Sequence, residues 1–412
     1  MATDSASTPD LGAPQFASHA WVEPIIVVSI MVGSLIINRH RDFSIFRSRR
    51  STKLDSLYDD QSPDPLLRSD GERDLRRENP YHSEAQTVFG ITFKTPDSSR
   101  WADHIHSRIL QKFPFLVEMF YWVVNYLFYS ITKATSQWLS PAEIGVVQVA
   151  QNHAIGILNV EHASFLSFFF PIQESDFQAF FMNGHPGFMT FFNRIYSLVH
   201  IPGTVLFLSW YYYCAPDHPT FAVARRTMTL GNFMSFMVFC FFPCMPPRLL
   251  PKEYHFFDTV RQEHAESVWV GGKSVNQFAA MPSLHFTYAF VIGCTFIYHS
   301  GILQRFRGRG PRKPLLTMLF FLVLGIVYPL LVLSVIVATA NHYWLDATVA
   351  LFSVIFCFFI NRVFNLLLPL EYCLCWILRI AKPVPTTGTR ALSRHGRRNR
   401  AADHDEIEYT TV

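Results

Sequence analysis

Histidine, aspartate, arginine and serine at short spacings carry the chemistry this chain could do. In "ANHYWLDA" (340–347), His342 and Asp346 stand four apart, so at the start of a helix they share one face and can touch. A carboxylate on one ring nitrogen fixes the tautomer and leaves the other nitrogen as nucleophile or base. In a soluble protein the same pair is as readily a structural contact, but ionisable groups at membrane depth are functional by default. "FAAMPSLHF" (278–286) adds His285 behind Pro282 and Ser283, a pair suited to a helix start, where free backbone amides attract phosphate. The plainer reading of that stretch is a capped helix with a satisfied histidine. "CMPPRLLP" (244–251) adds Arg248, a bidentate phosphate donor in a loop stiffened by prolines, although a lone loop arginine also serves as an interfacial anchor. Together these residues amount to a metal-free phosphoryl-transfer site. No carboxylate cluster suited to magnesium accompanies them, no cofactor is expected, and no glycine-rich nucleotide loop is present.

The elements that must position these groups are membrane helices. Of 412 residues, half are hydrophobic, 40 are Phe, and charged residues reach only 16%, against roughly 25% in soluble domains. A span needs about 20 mostly apolar residues; segments near 21–37, 115–131, 194–214, 227–245, 283–299, 315–338 and 346–368 qualify or come close. The first carries Glu23 and Pro24 and reads as a signal anchor rather than a cleaved leader. The stretch 142–172 is broken by Gln148, Gln151, Asn152, His153, Glu161 and His162 and reads as an amphipathic helix at the interface or against the bundle. The seven cysteines show neither zinc spacing nor a disulfide framework.

Basic residues gather at 39–53, at Arg225 and Arg226, at 305–313 and at 382–400, and the positive-inside rule makes all four sites cytoplasmic. Seven spans with the N-terminus outside satisfy every assignment and bring Arg248, His285 and 340–347 to one non-cytoplasmic face. The expected organisation is an N-terminal segment with the first span (1–37), a polar cytoplasmic arm (38–112), a catalytic membrane domain (113–370) and a basic then acidic cytoplasmic tail (371–412). Arm and tail have the composition of flexible or only locally folded chain.

The order PPR, PSLH and HxxxD, with spans between, resembles the type 2 phosphatidic acid phosphatase and haloperoxidase superfamily over about 145–365. The phrases "PPRLLP", "FFDTV", "AAMPSLH" and "HYWLDA" resemble its inositol phosphorylceramide synthase-like branch. The resemblance implies an all-α, polytopic membrane helical bundle with a six-helix phosphatase-type core, here with an extra N-terminal span. It implies His342 as the nucleophile that becomes a phosphohistidine, Asp346 as its orienter and His285 as the acid for the leaving oxygen. Arg248 and Ser283 would be the groups that hold phosphoryl oxygens. Release to water makes a lipid phosphatase; release to an alcohol makes a phosphotransferase, with ceramide as acceptor and phosphatidylinositol as donor in the sphingolipid case.

The chain departs from the broad pattern at Phe241 and Ile336, where the family carries Lys and Arg, and at Leu284, where glycine is usual. Lys252, Arg261 and Lys273 are candidates to replace the missing cations. An isoprenoid diphosphate, hydrolysed or ionised in an aromatic-lined site, is the alternative substrate. A non-enzymatic transporter or scaffold leaves the convergence of His285, His342 and Asp346 unexplained. The expected partners are the lipid phosphate or isoprenoid diphosphate and membrane lipids, not nucleic acid, and the expected location is the Golgi or endoplasmic reticulum membrane.

Overall fold

Apolar runs bounded by proline, glycine or charge fold as helices. The computed structural model describes residues 21–41, 43–46, 85–88, 91–94, 96, 98–139, 143–163, 165–262, 277–307 and 313–388. In chain order these form α1 (Val22–Ile37), a two-stranded antiparallel hairpin of β1 (Ala85–Val88) and β2 (Ile91–Lys94), α2 (Ile105–Lys112), α3 (Phe115–Leu139) and α4 (Glu143–His162). There follow α5 (Pro186–Cys214), α6 (His218–Phe241), α7 (Leu284–Ser300), α8 (Leu315–Ala338), α9 (Trp344–Ile360) and α10 (Leu368–Ile377), with short helical turns between them. Apart from the hairpin, the described secondary structure is helical.

Among the described residues, three helices are long and apolar enough to cross a membrane: Phe115–Thr135, Leu315–Ala338 and Trp344–Ile377. Val22–Ile37 is apolar but shorter, at 16 residues. The expected spans at 194–214, 227–245 and 283–299 fall on helices α5, α6 and α7, with 242–245 beyond the end of α6 and Ser283 as the cap of α7. Leu316, Phe320, Phe352 and Phe359 stand 60–82% exposed along α8 and α9, an apolar surface suited to lipid rather than water.

Two compact units result. The first draws on residues 1–30, 124–208 and 223–361. Its tightest seam joins α7 to α8 at two glycines: a Cβ on Gly325 would lie 2.8 Å from the Gly293 carbonyl oxygen, and one on Gly293 would lie 2.6 Å from that of Gly325. Only hydrogen at both positions lets the backbones meet. One apolar cluster gathers Phe192 and Tyr196 of α5, Val260, Phe286 and Ala289 of α7, Val335 and Ile336 of α8, and Ala347 and Ala350 of α9. A second joins Ala150, Ala154 and Ile157 of α4 to Cys244, Met245, Ala280, Ala340 and Tyr343.

The polar loops are sewn together by their backbones. Cys244 donates its N–H to Phe278 C=O at 2.7 Å and accepts the Ala280 N–H at 3.2 Å, and Arg248 N–H reaches Ala340 C=O at 2.8 Å. Tyr343 Oη–H donates to Met245 C=O at 2.9 Å. Segments about 30 to 100 residues apart in sequence are thereby fixed as one surface.

The second unit draws on 31–123, 209–222 and 362–412. Arm and tail, which composition assigns to solvent, meet here in their described parts. Buried Arg108 of α2 donates to the carbonyls of Ile45 (2.6 Å) and Ser44 (2.7 Å). The tail segment 381–386 is pinned by Ala381 N–H to Ser107 Oγ, Val384 N–H to Gln111 Oε1 (both 3.0 Å) and Thr386 Oγ–H to Asn38 C=O (2.9 Å). Pro383 and Pro385 hold the segment extended, so that its amides meet α2 and the Thr386 hydroxyl meets Asn38 instead of water. The basic and acidic runs after Gly388, like Arg309, Arg312 and Lys273, lie outside the described residues.

Candidate phosphoryl-transfer site

The site is built on the starts of α9 and α7. Tyr343 caps α9, and Asp346, in its first turn, accepts the Tyr343 N–H on Oδ2 at 3.0 Å. The same oxygen lies 3.2 Å from His342 Nδ1, which also lies 2.8 Å from the Ala280 carbonyl oxygen. Both neighbours are acceptors, so Nδ1 carries the hydrogen and Nε2 keeps its lone pair. His342 and Asp346 are 5% and 0% exposed. The four-residue spacing therefore does what the sequence suggested, with the Ala280 carbonyl as a second orienter.

His342 Nε2 faces His285 Nδ1 at 3.4 Å. His285 sits in the first turn of α7, stacked on Tyr196 of α5 with ring centroids 4.6 Å apart. Ser283 is fully buried and caps α7, accepting the Phe286 N–H at 3.3 Å, while its own N–H points to the Asp346 carbonyl at 3.4 Å. Pro282 stands one residue ahead of the cap rather than in the first helical position. His342, Asp346, His285 and Ser283 are thus brought together.

Arg248 joins them through its backbone bond to Ala340, while its guanidinium bonds Asp258 (Nη1–Oδ2, 2.7 Å). Asp258 also accepts the Arg261 N–H at 3.1 Å and has Arg261 Nε at 3.8 Å. One carboxylate so gathers two arginines. Of the three candidates to replace the missing cations, Arg261 stands beside Arg248, and Lys252 lies on an exposed turn.

A third group was not visible in the sequence as chemistry. Glu161 and Glu174 are fully buried. Glu161 accepts the Leu345 N–H at 2.5 Å, Glu174 accepts the Trp344 N–H at 3.2 Å, and His162 Nε2 lies 2.8 Å from Glu174. Ligand atoms of Glu161, His162 and Glu174 all fall within 4.8 Å of one another, so a carboxylate grouping does accompany the site. Burial raises the Glu161 pKa far above the ordinary carboxylate range, and its hydrogen bond to Glu174 and the charge there push the same way. In the sequence Glu161 only interrupts an apolar stretch, and Glu174 is one acid of a loop poor in basic residues. The available signal was their occurrence among apolar residues at all.

Beside the start of α9 lies a cavity of about 290 Å³ lined by Phe169, Phe170, Phe286, Leu333, Trp344 and Leu351 among others.

Residues 156–360 match the family model of the PAP2 superfamily. No curated protein and no solved structure matches the chain. The PAP2 stretch runs from α4 to the last residue of α9 and contains every site residue named above. With the helical fold and its three candidate spans, the PAP2 match supports a phosphatase-type phosphoryl-transfer enzyme and is consistent with a membrane protein.

Proposed function

We propose that this chain is an integral membrane enzyme that takes the phosphoryl group of a lipid phosphate onto His342 and passes it to water or to a second alcohol. The observation that carries the reading is the double anchoring of His342 Nδ1–H by Ala280 and Asp346, which leaves the Nε2 lone pair as the attacking group. In the first step the Nε2–P bond forms, the P–O bond of the leaving group breaks, and His285 gives that oxygen a proton. Asp346 faces the positive charge that grows on the ring. In the second step His285 takes a proton from water or alcohol, which displaces His342 from phosphorus. Arg248, Arg261 and the helix start capped by Ser283 hold the equatorial oxygens. The 3.4 Å between the rings is hydrogen-bond length, so the half-buried His285 turns aside as the phosphoryl group enters.

The inositol phosphorylceramide synthase-like phrases favour transfer between sphingolipid and phosphatidylinositol at the non-cytoplasmic face of a Golgi or endoplasmic reticulum membrane, on a six-helix core with α1 as an added span. The phenylalanines and Trp344 lining the neighbouring cavity favour a second reading, an isoprenoid diphosphate hydrolysed or ionised at the same histidines. Purified protein and its His342→Ala variant, assayed against phosphatidate, a prenyl diphosphate, and phosphatidylinositol with ceramide, separate these readings by their products. Undiminished turnover by His342→Ala would refute the nucleophile.

A further inference from the structure

Glu161, His162 and Glu174 have no part in the chemistry proposed above, yet Glu161 and Glu174 grip the backbone of the turn that presents His342 and Asp346, and His162 holds Glu174. We propose that Glu161 and Glu174 share a single proton, Glu161 as the acid and Glu174 as the carboxylate, and that this pair positions the His342–Asp346 nucleophile. What the pair positions rests on the proposed function; the proton itself does not.

Three successive amides at the start of α9 each bind a different carboxyl group: Tyr343 N–H goes to Asp346, Trp344 N–H to Glu174 and Leu345 N–H to Glu161. These donors are therefore spent on side chains of the protein, and the start of α9 is a fixed joint rather than an anion site. The joint is two residues from His342.

The hydrogen inventory then calls for a proton. Glu161 and Glu174 offer carboxylate oxygens within 4.8 Å of one another, and two carboxylates so close at zero exposure cannot both be ionised. Glu161 Oε2 is buried with no donor reaching it; His162 Nε2, at 3.9 Å, is beyond hydrogen-bond range. As O–H it becomes a donor to Glu174, and the orphaned atom disappears. Glu174 is the partner suited to stay ionised, because it already receives Trp344 N–H and His162 Nε2.

The groups facing the pair are His162 on the same helix as Glu161, Asp346 and Tyr343 from the start of α9, and Cys244 from the first loop. Of these, Asp346 adds a negative charge that further disfavours a second ionised glutamate. Ionising Glu161 therefore sets like charges against each other, and relief comes by releasing Leu345 or Trp344. Either release moves the first turn of α9 and with it Asp346. A divalent cation is the rival occupant of these three groups, although one oxygen each of Glu161 and Glu174 already accepts a backbone N–H.

Two measurements on the full-length protein in detergent test this. Infrared difference spectroscopy needs no substrate: a protonated-carboxyl stretch present at neutral pH and lost in Glu161→Gln is expected, and its absence from the parent overturns the shared proton even if the function reading stands. For the positioning role, Glu161→Ala should lower kcat at least tenfold with KM changed less than threefold. Glu161→Gln, which can still donate to Glu174 and accept from Leu345, should restore kcat to within about threefold of the parent. Equal loss in both variants would mean that an ionised carboxylate is required, and full activity in Glu161→Ala would mean that nothing is positioned. Loss of parental activity on chelation, recovered with magnesium or manganese, would assign the group to a cation instead. If the parent turns over none of the three substrates while the infrared band is present, the function reading fails and the acid pair survives.

Discussion

Asp346→Asn isolates the charge behind the nucleophile, because the substituted side chain keeps the shape and one oxygen in place. That oxygen still accepts from Tyr343 N–H and from His342 Nδ1–H, which now stand 3.0 and 3.2 Å from Oδ2. What is lost is the negative charge. Exchanging a charged acceptor for a neutral one costs about 1 kcal/mol, which sets a floor of about fivefold in rate. A full positive charge on the ring at 3.2 Å would interact by about 5 kcal/mol at an effective dielectric constant of about 20. Half a charge in the transition state gives about 2.5 kcal/mol, or nearly a hundredfold. The expected result is a loss of kcat between about 5-fold and 100-fold, with KM within about threefold, because the charge matters to the ring only as phosphorus bonds. Asp346 Oδ1 is buried and without a hydrogen-bond partner, so the new NH2 group there also costs about 1–3 kcal/mol of stability. Thermal unfolding in detergent measures that separately, and kinetics are read on folded protein. A kcat within twofold of the parent would refute the electrostatic role and leave Asp346 as a helix cap.

Three further outcomes follow from the geometry. Arg261→Ala should raise KM about tenfold or more for the phosphorylated substrate, since a charge-assisted bond contributes about 1.5–3 kcal/mol, while Lys252→Ala should change little; the reverse order in steady-state kinetics would assign the second clamp to Lys252. Gly325→Val should lower stability by about 1–3 kcal/mol, because its Cβ meets the Gly293 carbonyl at 2.8 Å and backbone cannot yield; a melting temperature equal to the parent's would contradict the seam. The proton on Glu161 is bound on folding and released by the unfolded chain above its ordinary pKa of 4.5, so its contribution is full below that pH and is lost as pH rises toward the elevated folded value. The parent's stability should therefore fall by up to about 1.4 kcal/mol per pH unit across the neutral range, and Glu161→Gln should flatten that slope in pH-dependent melting curves.

The helices and the His342–Asp346 contact were legible because their signals are local. An apolar run of 24 residues at α8 needs no tertiary information, and a four-residue His–Asp spacing already places both on one helical face. Ser283 was legible as a cap for the same reason. Glu161 and Glu174 were not, since their partners Leu345 and Trp344 lie 184 and 170 residues away, and nothing in a polar break in an apolar segment says which backbone it will meet. Asp258 lay inside the quoted phrase "FFDTV" without a role, because its role is to join Arg248 and Arg261 in space. The tail segment around Thr386 was read from composition, which cannot see that Asn38 offers it a carbonyl.

The departures from the family pattern have a physical consequence once they are placed. Ile336, where the pattern has an arginine, is fully buried in the first apolar cluster, and its carbonyl accepts the N–H groups of Asn341 (3.0 Å) and His342 (3.1 Å). The position keeps its hold on the His342 backbone but leaves no room for a cation. Phe241, where the pattern has a lysine, lies 71% exposed at the end of α6. The clamp that remains is two guanidinium groups against one Asp258 carboxylate, a net single positive charge. A site so charged holds a free phosphate dianion weakly, and on the proposed chemistry that speeds release of the headgroup product. On the proposed function, selection of the substrate passes from the headgroup to its chain, where each buried methylene adds about 0.8 kcal/mol, and the apolar cavity against Trp344 and Phe286 is the surface offered to that chain.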